Sequence, residues 1–233
     1  LDYAKVLTQG IGAWLHYEHA CGRSELFSEK YLATPVGQIL TARSSSRTHA
    51  EFKHPVLANL STGPGRPPEI DFVVCENYPE VSLAVETKWV GDSIPSIQSI
   101  IWDLIRLEMV NFQFGARCFF ILAGKKDRMA KLFNAAGFIN AAASGHKKPL
   151  LNVNKNAIHR TYLAPIDIFR RPTLKKVFKN YQDHEFPEFL STRRSSPFPE
   201  VGSKRGYQVY TWEVLANGRK NTFWPKNSKH LML

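Results

Sequence analysis

Read for its hydrophobic and polar positions, the chain opens on a helical stripe. Tyr3, Leu7, Ile11, Trp14, Leu15 and Glu18 recur at three- and four-residue steps, while Lys5, Gln9, Gly12, His16 and His19 lie elsewhere. Glu18 therefore falls either on the inward face, where a carboxylate needs a partner, or at the stripe's edge, where it reaches solvent. Residues 22–58 predict a further short helix and a mobile loop from Arg43 to Arg47, and Ser61–Pro68, rich in proline and glycine, cannot be regular structure. Two β-rich runs follow, one ending in Asp71-Phe-Val-Val and one in Leu83-Ala-Val-Glu86-Thr-Lys88-Trp. The turn-prone Glu76-Asn-Tyr-Pro-Glu80 separates them.

Helical periodicity returns from about Pro95 to Phe112. Ile97, Ile100, Ile101, Leu104, Ile105, Leu107 and Met109 form the apolar stripe, with Gln98, Ser99, Trp102, Asp103 and Arg106 on the other side. The apolar run Ala116–Ala123 suits a buried strand. A basic helix is expected over Asp127–Ala136, a strand near His159–Ala164, a second basic helix over Thr173–Tyr181, and an alternating strand over Gly206–Leu215. This order predicts an α/β sandwich around a mixed sheet. Residues 1–190 are expected to form the main domain. Residues 191–206 read as a flexible linker, and 191–233 as a basic extension ending in a strand packed on the same domain.

At 233 residues, 43% apolar and 12% aromatic, the chain is long and apolar enough for a globular core. No apolar run approaches bilayer length and no leader pattern opens the chain, so no membrane association is expected. The scattered Cys21, Cys75 and Cys118 fit neither a disulfide framework nor a zinc site, which points to a cytoplasmic, intracellular setting. The charge is one-sided. Residues 1–116 hold 9 Lys and Arg against 13 Asp and Glu, whereas residues 117–233 hold 22 against 7. That division implies acidic chemistry early and a polyanion surface, nucleic acid first among candidates, later.

Pairing the two β-rich runs so that Asp71 faces Glu86 makes facing residue numbers sum to 157, with the midpoint between Tyr78 and Pro79, inside the turn. Glu86 and Lys88 then share one face, and Phe72, Val74, Val85 and Thr87 the other. Two facing carboxylates repel and need a cation: Lys88, a metal, or both. The bland alternative is a salt-bridged trio on an exposed sheet face, worth little energetically. Gln98, Trp102 and Arg106 share one side of their helix. Either they line a site, or Trp102 is core and Asp103–Arg106 an intrahelical pair. His16 and His19 read as solvated rather than metal-binding.

Over roughly residues 1–123 the combination of Glu18, Asp71 and Glu86-Thr-Lys88, followed by a helix and a buried strand, resembles the PD-(D/E)XK nuclease superfamily. One departure is Pro68-Glu-Ile-Asp71 where the family has Pro-Asp. The resemblance implies a restriction-endonuclease-like mixed β-sheet flanked by helices and Mg²⁺-dependent hydrolysis of phosphodiester bonds, with Mn²⁺ able to substitute. It also implies ligation by Asp71, Glu86, the Thr87 carbonyl and Glu18, directly or through water. Lys88 would orient water or stabilise phosphoryl charge. DNA is the expected substrate, in restriction, defence or repair. Gln98 and Trp102 are similar to a substrate-facing Gln–Tyr motif of one subgroup, with Arg106 on the same side. Lys125, Lys126, Arg128 and Lys131, and Arg170, Arg171, Lys175, Lys176 and Lys179, would contact phosphates, although each run alone could be a solvated face. A homodimer, a subunit active only within a larger complex, and a catalytically silent binding protein of the same fold remain alternatives.

Overall fold

The computed structural model describes residues 2–59, 67–141, 147–164, 170–216, 221–229 and 231. Helices α1 (Tyr3–Ala20) and α2 (Glu29–Arg43) come first, then strands β1 (Arg47–Lys53), β2 (Glu69–Cys75) and β3 (Leu83–Val90). Helix α3 (Ile97–Phe114), β4 (Arg117–Lys125) and α4 (Lys126–Asn134) continue the chain. The small hairpin β5 (Ile139–Ala141) and β6 (Lys147–Pro149) leads to β7 (Ile158–Tyr162) and α5 (Arg171–Phe178). The last strands are β8 (Phe186–Pro187), β9 (Phe189–Arg194), β10 (Tyr207–Leu215) and β11 (Thr222–Phe223).

Among the described residues, seven strands form one mixed sheet in the order β1-β2-β3-β4-β10-β9-β7, antiparallel throughout except for the parallel pair β3–β4. Side chains begin the helices: Asp2 accepts from the Lys5 amide, Ser28 from Tyr31 and Ser96 from Ser99. Gly115, at φ 64°, ends α3 in the left-handed conformation that glycine adopts without strain.

The period-2 alternation of the strands supplies two cores, one on each side of the sheet. Phe72, Val74, Leu83, Val85, Phe119 and Ile121 pack with Leu7, Ile11 and Leu15 of α1 and Leu32, Val36 and Leu40 of α2. On the opposite face Ile70, Val73, Ala84, Phe120, Leu122 and Trp212 pack with α3, α4 and α5. Each fully buried large apolar side chain contributes about 1.5–3 kcal/mol, so two continuous layers lock the strands in place. No helix among the described residues is long and apolar enough to cross a membrane.

The C-terminal half is part of this sheet rather than an appendage to it. Strand β10 lies between β4 and β9, and residues 191–194, expected in a linker, complete β9. The loop expected at Arg43–Arg47 narrows to Ser44–Ser46, between a four-turn α2 and an edge strand, β1, whose half-polar sequence gives little β signal.

Candidate functional site

The β2–β3 register is the expected one. Phe72 faces Val85, Val73 faces Ala84 and Val74 faces Leu83, all summing to 157. Beyond Phe72 and Val85 the ladder opens. Strand β2 stays paired with β1 as far as Glu69, and β3 stays paired with β4 as far as Val90, but the two no longer pair with each other. A wedge is left between Glu69–Asp71 and Glu86–Val90.

Backbone groups freed in such a wedge need partners, and the candidate residues provide them. Asp71 Oδ2 accepts from the Thr87 amide at 2.7 Å and from Thr87 Oγ1 at 2.8 Å. Arg106 Nη1 donates to the Glu69 carbonyl at 2.9 Å. Lys88 Nζ donates to the Thr87 carbonyl at 3.1 Å, so the carbonyl expected as a metal ligand is engaged by the neighbouring ammonium.

Charge gathers deeper in the wedge. Glu86 is fully buried and Asp103, from α3, is 3% exposed. Arg106 Nη2 lies 2.7 Å from Glu86 Oε1 and donates to Asp103 Oδ1, also at 2.7 Å. Lys88 Nζ lies 3.0 Å from Asp103 Oδ2 and 3.2 Å from Glu29 Oε1. Neither carboxylate oxygen of Glu86 makes a hydrogen bond among the described residues: the Arg106 contact has the distance of an ion pair but not the direction of a donor.

Burial raises the Glu86 pKa well above the ordinary value, and the Asp103 charge raises it further against the opposing pull of Arg106. Asp103 is likewise pushed up by burial, despite Lys88 and Arg106. For Lys88, burial alone would favour the neutral amine, but Asp103, Glu29 and Asp71 outweigh it and keep the ammonium charged beyond the usual lysine range.

Glu18 points inward, 4% exposed, but into a different cluster. Tyr31 donates to its Oε2 at 2.6 Å and Arg23 Nη1 lies 3.1 Å from Oε1. The Tyr31 hydrogen bond is the largest influence lowering its pKa. No hydrogen bond or ion pair among the described residues joins Glu18 to the wedge, although Tyr31 shares the start of α2 with Glu29, which touches Lys88.

The row Gln98, Trp102, Arg106 runs from solvent into the wedge. Gln98 is exposed, Trp102 is half-buried against Tyr181 with ring centroids 4.6 Å apart, and Arg106 reaches the carboxylates. Asp103–Arg106 is also the intrahelical pair that the spacing allows. Asp103 itself was legible only as a polar position of α3, and what brings it inward is the gap in the sheet beneath that helix.

The basic residues separate into different roles. Lys125 pairs with Asp92, Lys126 donates to the Ser203 carbonyl and Arg128 lies 3.6 Å from Asp127. Lys131, Lys176 and Lys179 are exposed, whereas Arg171 and Lys175 are half-buried. Arg170 is not on the surface: 4% exposed, it donates to the carbonyls of Gly137 and Phe138.

Glu86 carries two buried oxygens without hydrogen bonds among the described residues, beside Asp71 and Asp103, and carboxylate oxygens are the kind of donor that a hard divalent cation takes. Among the described residues no three or more His, Cys, Asp and Glu side chains are gathered as a ready metal cage. In the wedge Arg106 stands between Glu86 and Asp103. No family model, no curated protein and no solved structure matches this chain.

Proposed function

We propose that this chain is a metal-dependent nuclease of the restriction-endonuclease-like kind, hydrolysing phosphodiester bonds of DNA at the wedge between β2 and β3. One observation carries the reading. Glu86 is a fully buried carboxylate with no hydrogen bond among the described residues, placed beside Asp71 and the half-buried Lys88 ammonium at the position of an Asp…Glu-x-Lys motif. An ordinary structural carboxylate in that position would be hydrogen-bonded or replaced.

Asp71 and Glu86 would hold Mg²⁺ or Mn²⁺. Such an ion, when bound, makes water acidic enough to attack near neutral pH and sets positive charge against the phosphate. The chain's own residues define the rest. The Thr87 amide and hydroxyl fix Asp71 Oδ2, so this carboxylate keeps one orientation. Lys88 stays protonated, so it acts as a fixed cation for charge growing on phosphoryl oxygens and not as a general base. The excess of Lys and Arg after residue 116 favours a polyanionic substrate. Glu18, held by Tyr31 and Arg23, supports the start of α2 rather than serving as a ligand.

Supercoiled, linear and single-stranded DNA and RNA, incubated with and without Mg²⁺ or Mn²⁺, test this reading. Cation-dependent cleavage of DNA is expected. Cleavage that survives unchanged in Asp71→Ala and Lys88→Ala would overturn it. A second reading, a silent nucleic-acid-binding protein of the same fold, draws on the Arg106–Glu86 contact, which already balances the buried acid. It requires DNA binding without cleavage under every cation, with or without a partner protein.

A further inference from the structure

We infer that Arg106 is a stand-in cation: its guanidinium neutralises Glu86 and Asp103 in the metal-free protein, and a divalent ion entering the site displaces it. The inference rests on the metal-dependent reading above and adds a competition between a side chain and the metal for the same carboxylates.

Three observations carry it. The same atom, Arg106 Nη2, lies 2.7 Å from Glu86 Oε1 and 2.7 Å from Asp103 Oδ1, so the two carboxylates sit within two contacts of one positive centre. A divalent ion with oxygen ligands at about 2.0–2.1 Å needs carboxylates gathered in this way, and cannot share the position with a guanidinium nitrogen. The guanidinium also fits its place incompletely. Its Nε is buried without a hydrogen-bond partner among the described residues, and its contact with Glu86 lacks hydrogen-bond geometry. A permanent structural arginine would be expected to satisfy those donors. Finally, Arg106 is the one cation in ion-pair contact with Glu86 among the described residues, whereas Asp103 also has Lys88 Nζ at 3.0 Å, so a divalent ion that takes Glu86 takes it from Arg106.

Arg106 is not tied to the carboxylates alone. Its Nη1 donates to the Glu69 carbonyl and its charge is felt by the neighbouring Tyr181, so the side chain can keep one anchor while Nη2 leaves. An equilibrium of this kind lowers apparent metal affinity by the fraction of molecules in which the guanidinium has moved away.

The test is Mn²⁺ binding by calorimetry at pH 7.5 to wild type, Glu86→Gln, Arg106→Met and Arg106→Lys, each first shown to melt cooperatively. The inference expects wild type to bind Mn²⁺ in a Glu86-dependent way and Arg106→Met to bind at least about tenfold more tightly. Arg106→Lys, which keeps the charge on a shorter stem, should fall between them. Glu86-dependent binding of equal or weaker affinity in Arg106→Met overturns the inference alone. Absence of Glu86-dependent binding in every variant overturns the metal reading and this inference together. Should Arg106→Met fail to fold, the Arg106 Nε–H resonance of wild type decides: it shifts on Mg²⁺ addition if the guanidinium is displaced, and a stationary resonance at saturating Mg²⁺ sinks the idea.

Discussion

His54 holds the main-chain carbonyl of Arg106, with Nε2 3.2 Å from that oxygen. Its Nδ1 accepts from the amides of Val56 at 3.2 Å and Leu57 at 3.0 Å, which leaves Nε2 as the ring's N–H donor and the imidazole neutral. One buried histidine thus ties the segment after β1 to the turn of α3 that carries the site arginine.

Burial lowers the His54 pKa to about 4 from 6.5. A depressed histidine contributes stability that is complete above the unfolded value and lost as pH falls from 6.5 towards 4. At about 1.4 kcal/mol per unit the whole window is worth about 3 kcal/mol. Urea unfolding of wild type and His54→Gln at pH 7 and pH 4.5 checks this. The variant should be the less stable at pH 7, and the gap should shrink by roughly 2–3 kcal/mol at pH 4.5. A gap independent of pH would remove His54 from the acid response.

Glu86 works in the opposite direction. Its pKa is raised, so its cost to the metal-free fold is absent below the ordinary glutamate value and grows as pH rises towards the folded value. Glu86→Gln should therefore raise the melting temperature of metal-free protein at pH 8 and leave it nearly unchanged at pH 5. Addition of Mn²⁺ at pH 8 should raise the wild-type melting temperature and not that of the variant. Equal Mn²⁺ shifts in the two proteins would place the ion elsewhere.

If the wedge hydrolyses DNA, Asp71→Asn and Lys88→Ala should each lower the single-turnover rate by about 10²-fold or more, the scale for loss of one electrostatic element of a site. DNA affinity measured in Ca²⁺ should change far less. Parallel losses of rate and affinity would assign these residues to binding alone.

The basic residues should divide into two groups. Lys176→Ala and Lys179→Ala, on the exposed side and end of α5, should reduce the slope of log affinity against log salt by about 0.9 for each phosphate left without its cation, with unchanged melting. Arg170→Ala should do the reverse. It takes the arginine donor from the Gly137 carbonyl and leaves the Phe138 carbonyl with the Leu150 amide alone, so stability falls by about 1–3 kcal/mol with the salt slope intact.

Much of the fold was legible in the chain because its signals are local. The stripe of α1 buries Leu7, Ile11 and Leu15 as its spacing predicts and puts Glu18 on the inward side of the two its spacing allows, and the turn at Tyr78–Pro79 sets a register that the strands adopt. What escaped depends on distant partners. Strand β9 reads as a linker because Ser191-Thr-Arg-Arg has no apolar alternation, and it is ordered by pairing with β10 and β7. Asp103 reads as a polar position of α3 within reach of Arg106, with no sign of Lys88 beside it, and nothing in the spacing of Glu18 announces Tyr31 and Arg23 as its partners. A one-dimensional pattern shows which side of an element a residue occupies. It does not show whether the neighbouring strands have parted there, or whether a tyrosine on the next helix has claimed the carboxylate.

The parting of β2 from β3 also decides which piece of the protein can move. Strands β1 and β2 pair with each other over almost their full length, but reach the rest of the sheet through the short ladder from Phe72 to Val74. They form an edge ribbon on a narrow hinge, whereas β3 is clamped along its whole length by β4. Asp71 rides on the ribbon, and Glu86 and Lys88 sit on the fixed side. The outer end of the ribbon is tied to β3 and α3 through side chains, Asp71 to Thr87 and Arg106 to the Glu69 carbonyl, so amides near Asp71 should exchange with solvent before those of Val85.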